Sequence, residues 1–311
     1  RRCFLMKILL TGAYCYTEPQ LAKLRGLGLE CIMMPDERGD LPEGAADAEF
    51  TVCNNLFLYH ELSVFPRLRC VQLTSAGLDR VPVAKLQEKG IVLYNARGVY
   101  SVPMAEFALW GVLSLYKQAN FFYNNQKAHV WEKHRGLLEL FGGRVCIVGS
   151  GSVGQACADC FHALHMQVTG VDLVEPKSNS FDRYCPVTQI GQAVRDADVV
   201  ILTVPLTNET KHLISKKTLE RFKHGAVLVN VARGGVVDTL ALVDALQNGI
   251  LGGAVLDVFE EEPLPSDSPL WDMPNVLVTP HNSFVSQNNK DRLFSVIYQN
   301  LCMFLKGETD R

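Results

Sequence analysis

The chain has 311 residues, too many for most single hydrophobic cores, so two domains are expected. Its net charge of −3, with 48% hydrophobic and 20% charged residues, is typical of a globular protein and lacks the basic excess of a nucleic-acid-binding or membrane-binding surface. No apolar run is long enough to cross a bilayer, and we expect that residues 1–5 are not a signal peptide. We expect Met6 to be the natural start and residues 1–5 to be additional to the native chain.

The ten cysteines indicate a reducing compartment rather than a disulfide framework. Most lie inside apolar runs, where buried thiols are usual, so a cytoplasmic location is expected. Cys157 and Cys160 have C-x-x-C spacing, but both fall within a predicted helix, and no second cysteine or histidine pair stands at zinc-ribbon spacing. We therefore predict no metal site.

The first hundred residues alternate short apolar runs with helical patterns. The runs predict strands at 7–11, 31–34, 50–53, 71–74 and 91–94. Strands separated by helices indicate β-α-β units and a parallel sheet covered on both faces. One long helix is predicted next, over about 103–126, because Pro103 suits a helix start and apolar residues continue through the interior.

A second series of strands and helices begins at residue 145. Its strands are predicted at 145–148, 168–171, 199–204, 226–231, 254–258 and 276–279. A helix over 284–306 follows the whole series, so we expect it to pack back on the first domain and make that domain discontinuous.

The turn that follows the strand at 145–148 reads GSGSVG, with glycines at 149, 151 and 154. In a strand–turn–helix context this is the dinucleotide-binding pattern: the first glycine makes the turn, the second admits a pyrophosphate, and the third lets helix and strand approach. The helix N-terminus adds free N–H groups that favour phosphate. Asp172 ends the next strand and suits the ribose hydroxyls of NAD, whereas its charge would repel the 2′-phosphate of NADP.

Five further motifs occur in order along the chain. They are LFGGRVCIVG at 140–149, PLTNETKHLI at 205–214, VNVARGGVVD at 229–238, LDVFEEEPLP at 256–265 and NVLVTPH at 275–281. Together they resemble the D-isomer-specific 2-hydroxyacid dehydrogenases, and the resemblance covers essentially the whole chain.

The resemblance implies an α/β protein of two Rossmann-like, doubly wound parallel-sheet domains with the active site in the cleft between them. Residues 1–101 plus 284–311 would form the substrate (catalytic) domain, and residues 102–283 the NAD-binding domain. The resemblance also implies a homodimer, with the helix at 103–126 at its interface.

The implied activity is the reversible reduction of a small 2-oxo acid to a D-2-hydroxy acid with NADH. His281 matches the general acid/base, Glu262 the acid paired with it, and Arg233 the residue that holds the substrate carboxylate or carbonyl. These types suit the chemistry, because an imidazole can give a proton near neutral pH, a carboxylate favours its charged form, and a guanidinium fork binds a carboxylate.

The binding residues are likewise implied by the matching motifs. The implied cofactor-binding residues are Gly149, Gly151, Ser152, Val153, Gly154, Asp172, Pro205, Val231, Ala232 and Asp257, the last beside the nicotinamide carboxamide. The implied substrate-binding residues are Asn54, Asn55, Ala76, Gly77 and Tyr100.

The substrate itself stays open. Leu56, Phe57 and Tyr100 favour a small or apolar 2-oxo acid. The loop at 53–57 lacks the arginine usual in relatives that act on 3-phosphoglycerate, but Arg97 could supply a cation, so a phosphorylated or sugar-derived 2-hydroxy acid is the alternative. A third possibility is that the chain is not an enzyme but an NAD-sensing protein resembling the corepressors of the same superfamily.

Three places depart from the common family pattern. After His281 the chain reads NSFVS at 282–286, where many relatives have small residues and glycine, so Phe284 could line the cleft or pack the hinge. His165 stands where a glycine often ends the first helix of the cofactor domain, so it either adopts a left-handed conformation or the helix ends differently. Thr239 stands where a glutamate is common.

Overall fold

The computed structural model describes residues 6–308, so the expectation about residues 1–5 concerns residues outside this range. The strands are β1 Met6–Thr11, β2 Leu29–Met34, β3 Phe50–Cys53, β4 Cys70–Leu73, β5 Val92–Tyr94, β6 Arg144–Val148, β7 Gln167–Asp172, β8 Arg183–Pro186, β9 Val199–Leu202, β10 Ala226–Asn230, β11 Leu251–Leu256 and β12 Val276–Val278. The α-helices are α1 Glu18–Arg25, α2 Leu56–Tyr59, α3 Val83–Glu88, α4 Ser101–Tyr116, α5 Ala119–Ala128, α6 Ser152–Ala163, α7 Ile190–Ala193, α8 Lys216–Leu219, α9 Thr239–Gln247 and α10 Asn289–Lys306.

The chain divides into two compact units, one running to Tyr100 and resuming at Ser286, the other spanning Ser101–Val285. The first holds a five-stranded sheet of order β2-β1-β3-β4-β5, and the second a seven-stranded sheet of order β12-β11-β10-β9-β6-β7-β8. Neighbouring strands pair in parallel in both sheets. Each order reverses once, between β1 and β3 and between β6 and β9, so both sheets are doubly wound and the predicted α/β fold class is confirmed.

Helices cover both faces of each sheet because the central strands are apolar on both sides. Every residue of β3, β4, β9 and β10 is buried. In the second unit, alternate residues of β6 and β9 enter two different hydrophobic clusters, one on each face. In the first unit α10 supplies Leu293, Phe294, Ile297 and Leu301 to one cluster, and the Asn300 amide donates to the buried Gln72 Oε1 at 2.7 Å. The C-terminal helix therefore packs on the sheet of the first unit.

The prediction of one helix over 103–126 is wrong. The structure has two helices there, α4 and α5, because Gln118 takes a left-handed backbone with φ 54° that ends the first before the second begins. The last helix likewise begins at Asn289 rather than at 284, after a run of turns. The strand β8 was not predicted, because this short edge strand reads RYCP, contains no aliphatic run and ends in a proline.

The structure shows how the chain accommodates His165, where a glycine often stands in the family. The helix α6 ends at Ala163, and His165 adopts the left-handed conformation with φ 59° that a glycine would take more easily. Over the described range 6–308, every helix is too short or too polar to span a bilayer.

Candidate active site

The glycine turn after β6 uses its three glycines for three different reasons. Gly149 has φ 101°, and a Cβ there would lie 2.8 Å from the Thr203 hydroxyl. A Cβ on Gly154 would lie 1.9 Å from the Gly149 carbonyl oxygen, so this position sets how closely α6 approaches the turn. A Cβ on Gly151 would meet nothing within 4 Å. The space before Gly151 and the first N–H groups of α6 fit a dinucleotide pyrophosphate.

Asp172 at the end of β7 is fixed against this turn. Its Oδ2 accepts hydrogen bonds from the Ser150 backbone N–H at 2.6 Å and hydroxyl at 2.7 Å, and its Oδ1 accepts from the Leu173 N–H at 2.7 Å. Burial raises the pKa of this carboxyl, but the hydrogen bonds from Ser150 and Leu173 outweigh burial and hold the pKa below its usual range. Asp172 is therefore a carboxylate held beside the phosphate-binding turn, where a ribose would follow.

Two alanine substitutions separate the roles of the glycines. We expect Gly151→Ala to fold with nearly unchanged thermal stability and to bind NADH more weakly, because its methyl group occupies the open space. We expect Gly154→Ala to lower the melting temperature, because its methyl group would overlap the Gly149 carbonyl. Thermal unfolding without cofactor and NADH fluorescence titration measure the two effects. Equal melting temperatures for the two variants would contradict this account of the turn.

Arg233 follows β10 in a turn that a buried side chain organises. Asn230, 1% exposed, accepts from the Ala232 N–H at 3.1 Å and donates from Nδ2 to the Arg233 carbonyl oxygen at 3.1 Å. The Arg233 guanidinium donates from Nη1 to the Ala232 carbonyl oxygen at 2.8 Å. Val231 and Ala232 are themselves buried, so any contact they make with a cofactor is through their backbone.

Gly234 explains why glycine follows the arginine. A Cβ there would lie 1.8 Å from the Phe259 carbonyl carbon and 2.4 Å from the Glu260 nitrogen. The loop after β11 therefore lies directly against the loop after β10, and the residues at 259–262 are brought beside the Arg233 turn. Only glycine allows this approach of two backbones.

Asp257, fully buried at the end of β11, holds the loop that carries His281. Its carboxylate accepts from the Thr279 hydroxyl at 2.7 Å and from the N–H groups of Asn282 and Ser283 at 2.7 and 2.9 Å. Its carbonyl oxygen accepts from the His281 N–H at 2.8 Å. The structure thus places Asp257 in the support of this loop, and its contact with the nicotinamide carboxamide stays a prediction.

His281 and Glu262 form the pair that the sequence predicts. The His281 Nδ1 lies 2.9 Å from the Glu262 Oε2, and the Glu262 Oε1 accepts from the Phe259 N–H at 3.1 Å. His281 takes a left-handed backbone with φ 51°, and the Phe284 ring packs edge-on against the imidazole at 6.1 Å between centroids. Because Nδ1 faces the carboxylate, Nε2 is the ring nitrogen available to a substrate. Arg233, Glu262 and His281 follow the adjacent strands β10, β11 and β12, so they share one edge of the second sheet.

The predicted substrate residues lie in the first unit, also at the carboxyl ends of strands. Glu37, 7% exposed, accepts from the backbone N–H groups of Asn54 at 2.7 Å and Asn55 at 2.6 Å, and from the Thr11 hydroxyl at 2.7 Å. These two N–H groups therefore point to Glu37 and not to a substrate, and the Asn54 Oδ1 is itself buried, so contacts of Asn54 and Asn55 with a substrate stay a prediction. The Asn55 Oδ1 already accepts from the Arg80 Nη1 at 3.1 Å.

The other predicted substrate loop, with Ala76 and Gly77, is tied to the loop after β5. The Asn95 amide donates to the Ala76 carbonyl oxygen at 2.8 Å, and the Tyr100 hydroxyl donates to the Thr74 carbonyl oxygen. Burial raises the pKa of the Tyr100 hydroxyl. Tyr100 thus has a supporting contact within its unit, and its contact with substrate stays a prediction.

Leu56 and Phe57 do not support the expectation of an apolar substrate. Leu56 is fully buried in a hydrophobic cluster, and Phe57 packs edge-on against Phe65 with 6.2 Å between centroids. Both side chains serve the core of the first unit.

Sequence reasoning missed several residues that shape these loops. They are Glu37, Ser150, Thr203 and Asn230. For Thr203 and Asn230 a signal existed, because each is a polar residue at the carboxyl end of a buried apolar strand. The described residues 6–308 hold no group of three or more His, Cys, Asp or Glu that could bind a metal.

Comparison with known proteins agrees with this geometry. Residues 109–283 match the family model described as D-isomer specific 2-hydroxyacid dehydrogenase, NAD binding domain. The chain belongs to the D-isomer-specific 2-hydroxyacid dehydrogenase family. It is 33% identical over 248 residues to a glyoxylate reductase of Korarchaeum cryptofilum, covering 78% of this chain and 75% of that protein.

Two further relatives extend the match to nearly the whole length. A hydroxypyruvate reductase of Blautia hydrogenotrophica is 29% identical over 318 residues, covering 97% of this chain and 98% of that one. The crystal structure of a D-isomer specific 2-hydroxyacid dehydrogenase family protein from Aeromonas salmonicida superposes with a TM-score of 0.84 at 31% identity, covering 98% and 97% of the two chains. The chain is therefore an NAD-dependent oxidoreductase that interconverts 2-oxo and 2-hydroxy acids.

Proposed function

We propose that this dehydrogenase reduces a small 2-oxo acid to the D-2-hydroxy acid, with His281, Glu262 and Arg233 as its catalytic residues. The observation that carries the assignment is the 2.9 Å contact between the His281 Nδ1 and the Glu262 Oε2, at the same sheet edge as Arg233. We also propose that the unit of residues 101–285 binds NAD and that the other unit supplies the substrate loops. That the active site lies in a cleft between the two domains stays a prediction.

The side chains divide the reaction between them. NADH, when bound, supplies a hydride to the carbonyl carbon of the 2-oxo acid. His281 gives the proton on Nε2 to the carbonyl oxygen, which becomes the hydroxyl of the product. The Glu262 carboxylate, 2.9 Å from the His281 Nδ1, fixes the orientation of the ring so that Nε2 faces the substrate. The guanidinium of Arg233 holds the substrate carboxylate and polarises the carbonyl.

Arg80 favours a second candidate, a dehydrogenase of a phosphorylated 2-hydroxy acid. Its guanidinium donates to the Asn55 Oδ1 and so places a cation beside a predicted substrate loop. From the sequence alone, Arg97 was the cation considered for this role. A phosphate on the substrate could pair with it. The small 2-oxo acid remains the leading proposal. Arg233, Glu262 and His281 act on the carboxylate and the adjacent carbonyl, which all these substrates share, and so do not require a phosphate.

A substrate panel tests the proposal. NADH consumption is measured with glyoxylate, pyruvate, hydroxypyruvate, oxaloacetate, phenylpyruvate and 3-phosphohydroxypyruvate, using the wild type and Arg80→Ala. We expect the highest kcat/KM with an unphosphorylated small acid and the same preference in Arg80→Ala. A preference for 3-phosphohydroxypyruvate that disappears in Arg80→Ala would establish the second candidate. If none of these acids is reduced while NADH still binds, the result would favour an NAD sensor.

We further propose that the protein is a homodimer joined through residues 119–141. The helix α5 buries none of its own residues, and Trp131 is 99% exposed. The exposed apolar residues of this segment are Phe122, Tyr123, Val130, Trp131, Leu137, Leu138 and Phe141. Such a concentration of exposed apolar side chains is typical of an interface. Support for the predicted interface helix therefore lies with α5 and the segment after it.

Sedimentation equilibrium measures the assembly. We expect a mass twice that of the 34.5 kDa chain, and a shift toward the monomer in Trp131→Glu, because a charge would be buried at the contact. Tyr59→Glu, at another exposed aromatic residue, is the control and should leave the mass unchanged. A wild-type mass of one chain at micromolar concentration would refute the dimer.

A cytoplasmic location also remains part of the proposal. The cysteines within the described residues are free, and burial raises the pKa of the Cys146 and Cys157 thiols. Buried thiols of this kind suit a reducing compartment.

A further inference from the structure

Glu260 lies two residues before Glu262 and makes contacts that the reaction itself does not require. Its Oε1 accepts from the His212 Nε2 at 2.6 Å, and its Oε2 accepts from the Thr239 N–H at 2.9 Å and from the Thr239 hydroxyl. The side chain is one-third exposed. Three segments meet at this carboxylate: the loop after β9 with His212, the start of α9 with Thr239, and the loop after β11 with Glu260 itself.

The backbone around this junction joins the same loops. The His212 N–H donates to the Gly235 carbonyl oxygen at 2.9 Å, with His212 in a left-handed conformation of φ 51°. The Glu260 nitrogen lies against Gly234, the residue after Arg233. The Phe259 N–H donates to Glu262, which in turn faces His281. Contacts therefore run without a break from Glu260 to both Glu262 and the Arg233 turn.

Thr239 supplies two of the donors that hold Glu260. Its backbone N–H and its hydroxyl both point to the Glu260 Oε2. The pKa of the Glu260 carboxyl, which burial raises, is held below its usual range by the hydrogen bonds from Thr239 and His212.

We propose that Glu260 is a positioning residue, which holds the loop carrying Glu262 against the loop carrying Arg233 and so keeps the catalytic pair in register. The inference rests on the proposed function, since it acts through Glu262. His212 and Thr239 hold the Glu260 side chain in place. The three consecutive glutamates at 260–262 therefore have separate roles. Glu261, which is exposed, lies outside the junction.

A double-mutant cycle tests the proposal in the full chain. The variants are Glu260→Ala, Glu262→Gln and their combination, with Glu261→Ala as the matched control. We expect Glu260→Ala to lower kcat roughly tenfold while the dissociation constant for NADH stays unchanged. We expect the double variant to be no slower than Glu262→Gln alone, because residues that act through one another are not additive. Glu260→Gln, which keeps an acceptor for Thr239, should recover most of the loss.

The outcomes separate this inference from the proposed function. If Glu262→Gln lowers kcat but Glu260→Ala behaves like Glu261→Ala, the positioning role is refuted and the catalytic assignment stands. A loss in Glu260→Ala that multiplies with that of Glu262→Gln, together with a lower melting temperature, would show a merely structural role. If Glu262→Gln keeps full kcat, both proposals fail. Should Glu260→Ala not fold, His212→Asn, which tolerates the left-handed backbone, is expected to show a smaller loss of the same non-additive kind.

Discussion

Replacing His281 by asparagine is expected to lower kcat about a thousandfold, the range in which general acid–base catalysis contributes. Asparagine is the substitution of choice because it tolerates the left-handed backbone that His281 adopts, so the loop keeps its conformation while the proton donor is lost. The measurement is kcat for the preferred 2-oxo acid at saturating NADH, with the dissociation constant for NADH determined separately.

Two comparisons make the His281 result interpretable. The melting temperature of His281→Asn should match the wild type, because the Asp257 carboxylate still holds the loop at Thr279, Asn282 and Ser283. Glu262→Gln keeps an acceptor for the Phe259 N–H but removes the charge beside the imidazole, so its kcat should fall less, by roughly a hundredfold. An asparagine variant that retains a tenth of the wild-type kcat would rule out His281 as the proton donor.

Replacing Arg233 by lysine is expected to lower kcat/KM by about two to three orders of magnitude although the charge is kept. A lysine ammonium cannot reproduce the planar fork that binds a carboxylate through two parallel hydrogen bonds, and it loses the geometry that the Nη1 contact with Ala232 now fixes. The reductase assay gives kcat and KM for the 2-oxo acid separately.

Arg233→Ala provides the control for this loss. Added guanidinium ion should restore part of its activity if the missing group binds the substrate, and NADH affinity should stay unchanged in both variants. Near-normal kcat/KM in Arg233→Lys would mean that charge alone suffices and that the proposed two-point contact is wrong.

The sheets could be predicted from the sequence because their strands are continuous buried apolar runs. Every residue of β9 and β10 is buried. Their sequences, VVIL and AVLVN, are rich in valine, leucine and isoleucine, which predicts buried strands. The edge strand β8, which reads RYCP, has no such run, because an edge strand is only partly buried and does not need one. The break between α4 and α5 also has no sequence signal, since the left-handed residue is Gln118 rather than glycine or asparagine.

The candidate site was predictable where a residue carries the chemistry in a recognisable motif. Arg233, Glu262 and His281 lie at the carboxyl ends of β10 to β12, and the structure brings the Glu262 and His281 side chains into contact. Supporting residues such as Glu37 and Glu260 were not predictable, because their contacts join distant parts of the chain. Glu37 meets Asn54 and Asn55, and Glu260 meets His212, only after the strands between them have paired.

The decisive measurement is the transfer of deuterium to hydroxypyruvate from NADH that carries deuterium at both hydrogens of the nicotinamide C4. The product is analysed by mass spectrometry and by chromatography on a chiral column. The wild type is expected to form D-glycerate with one deuterium at C2, and His281→Asn is expected to lose this product together with its activity. Unlabelled product, or glycerate of the L configuration, would contradict the proposal that this chain is a D-specific 2-oxo acid reductase.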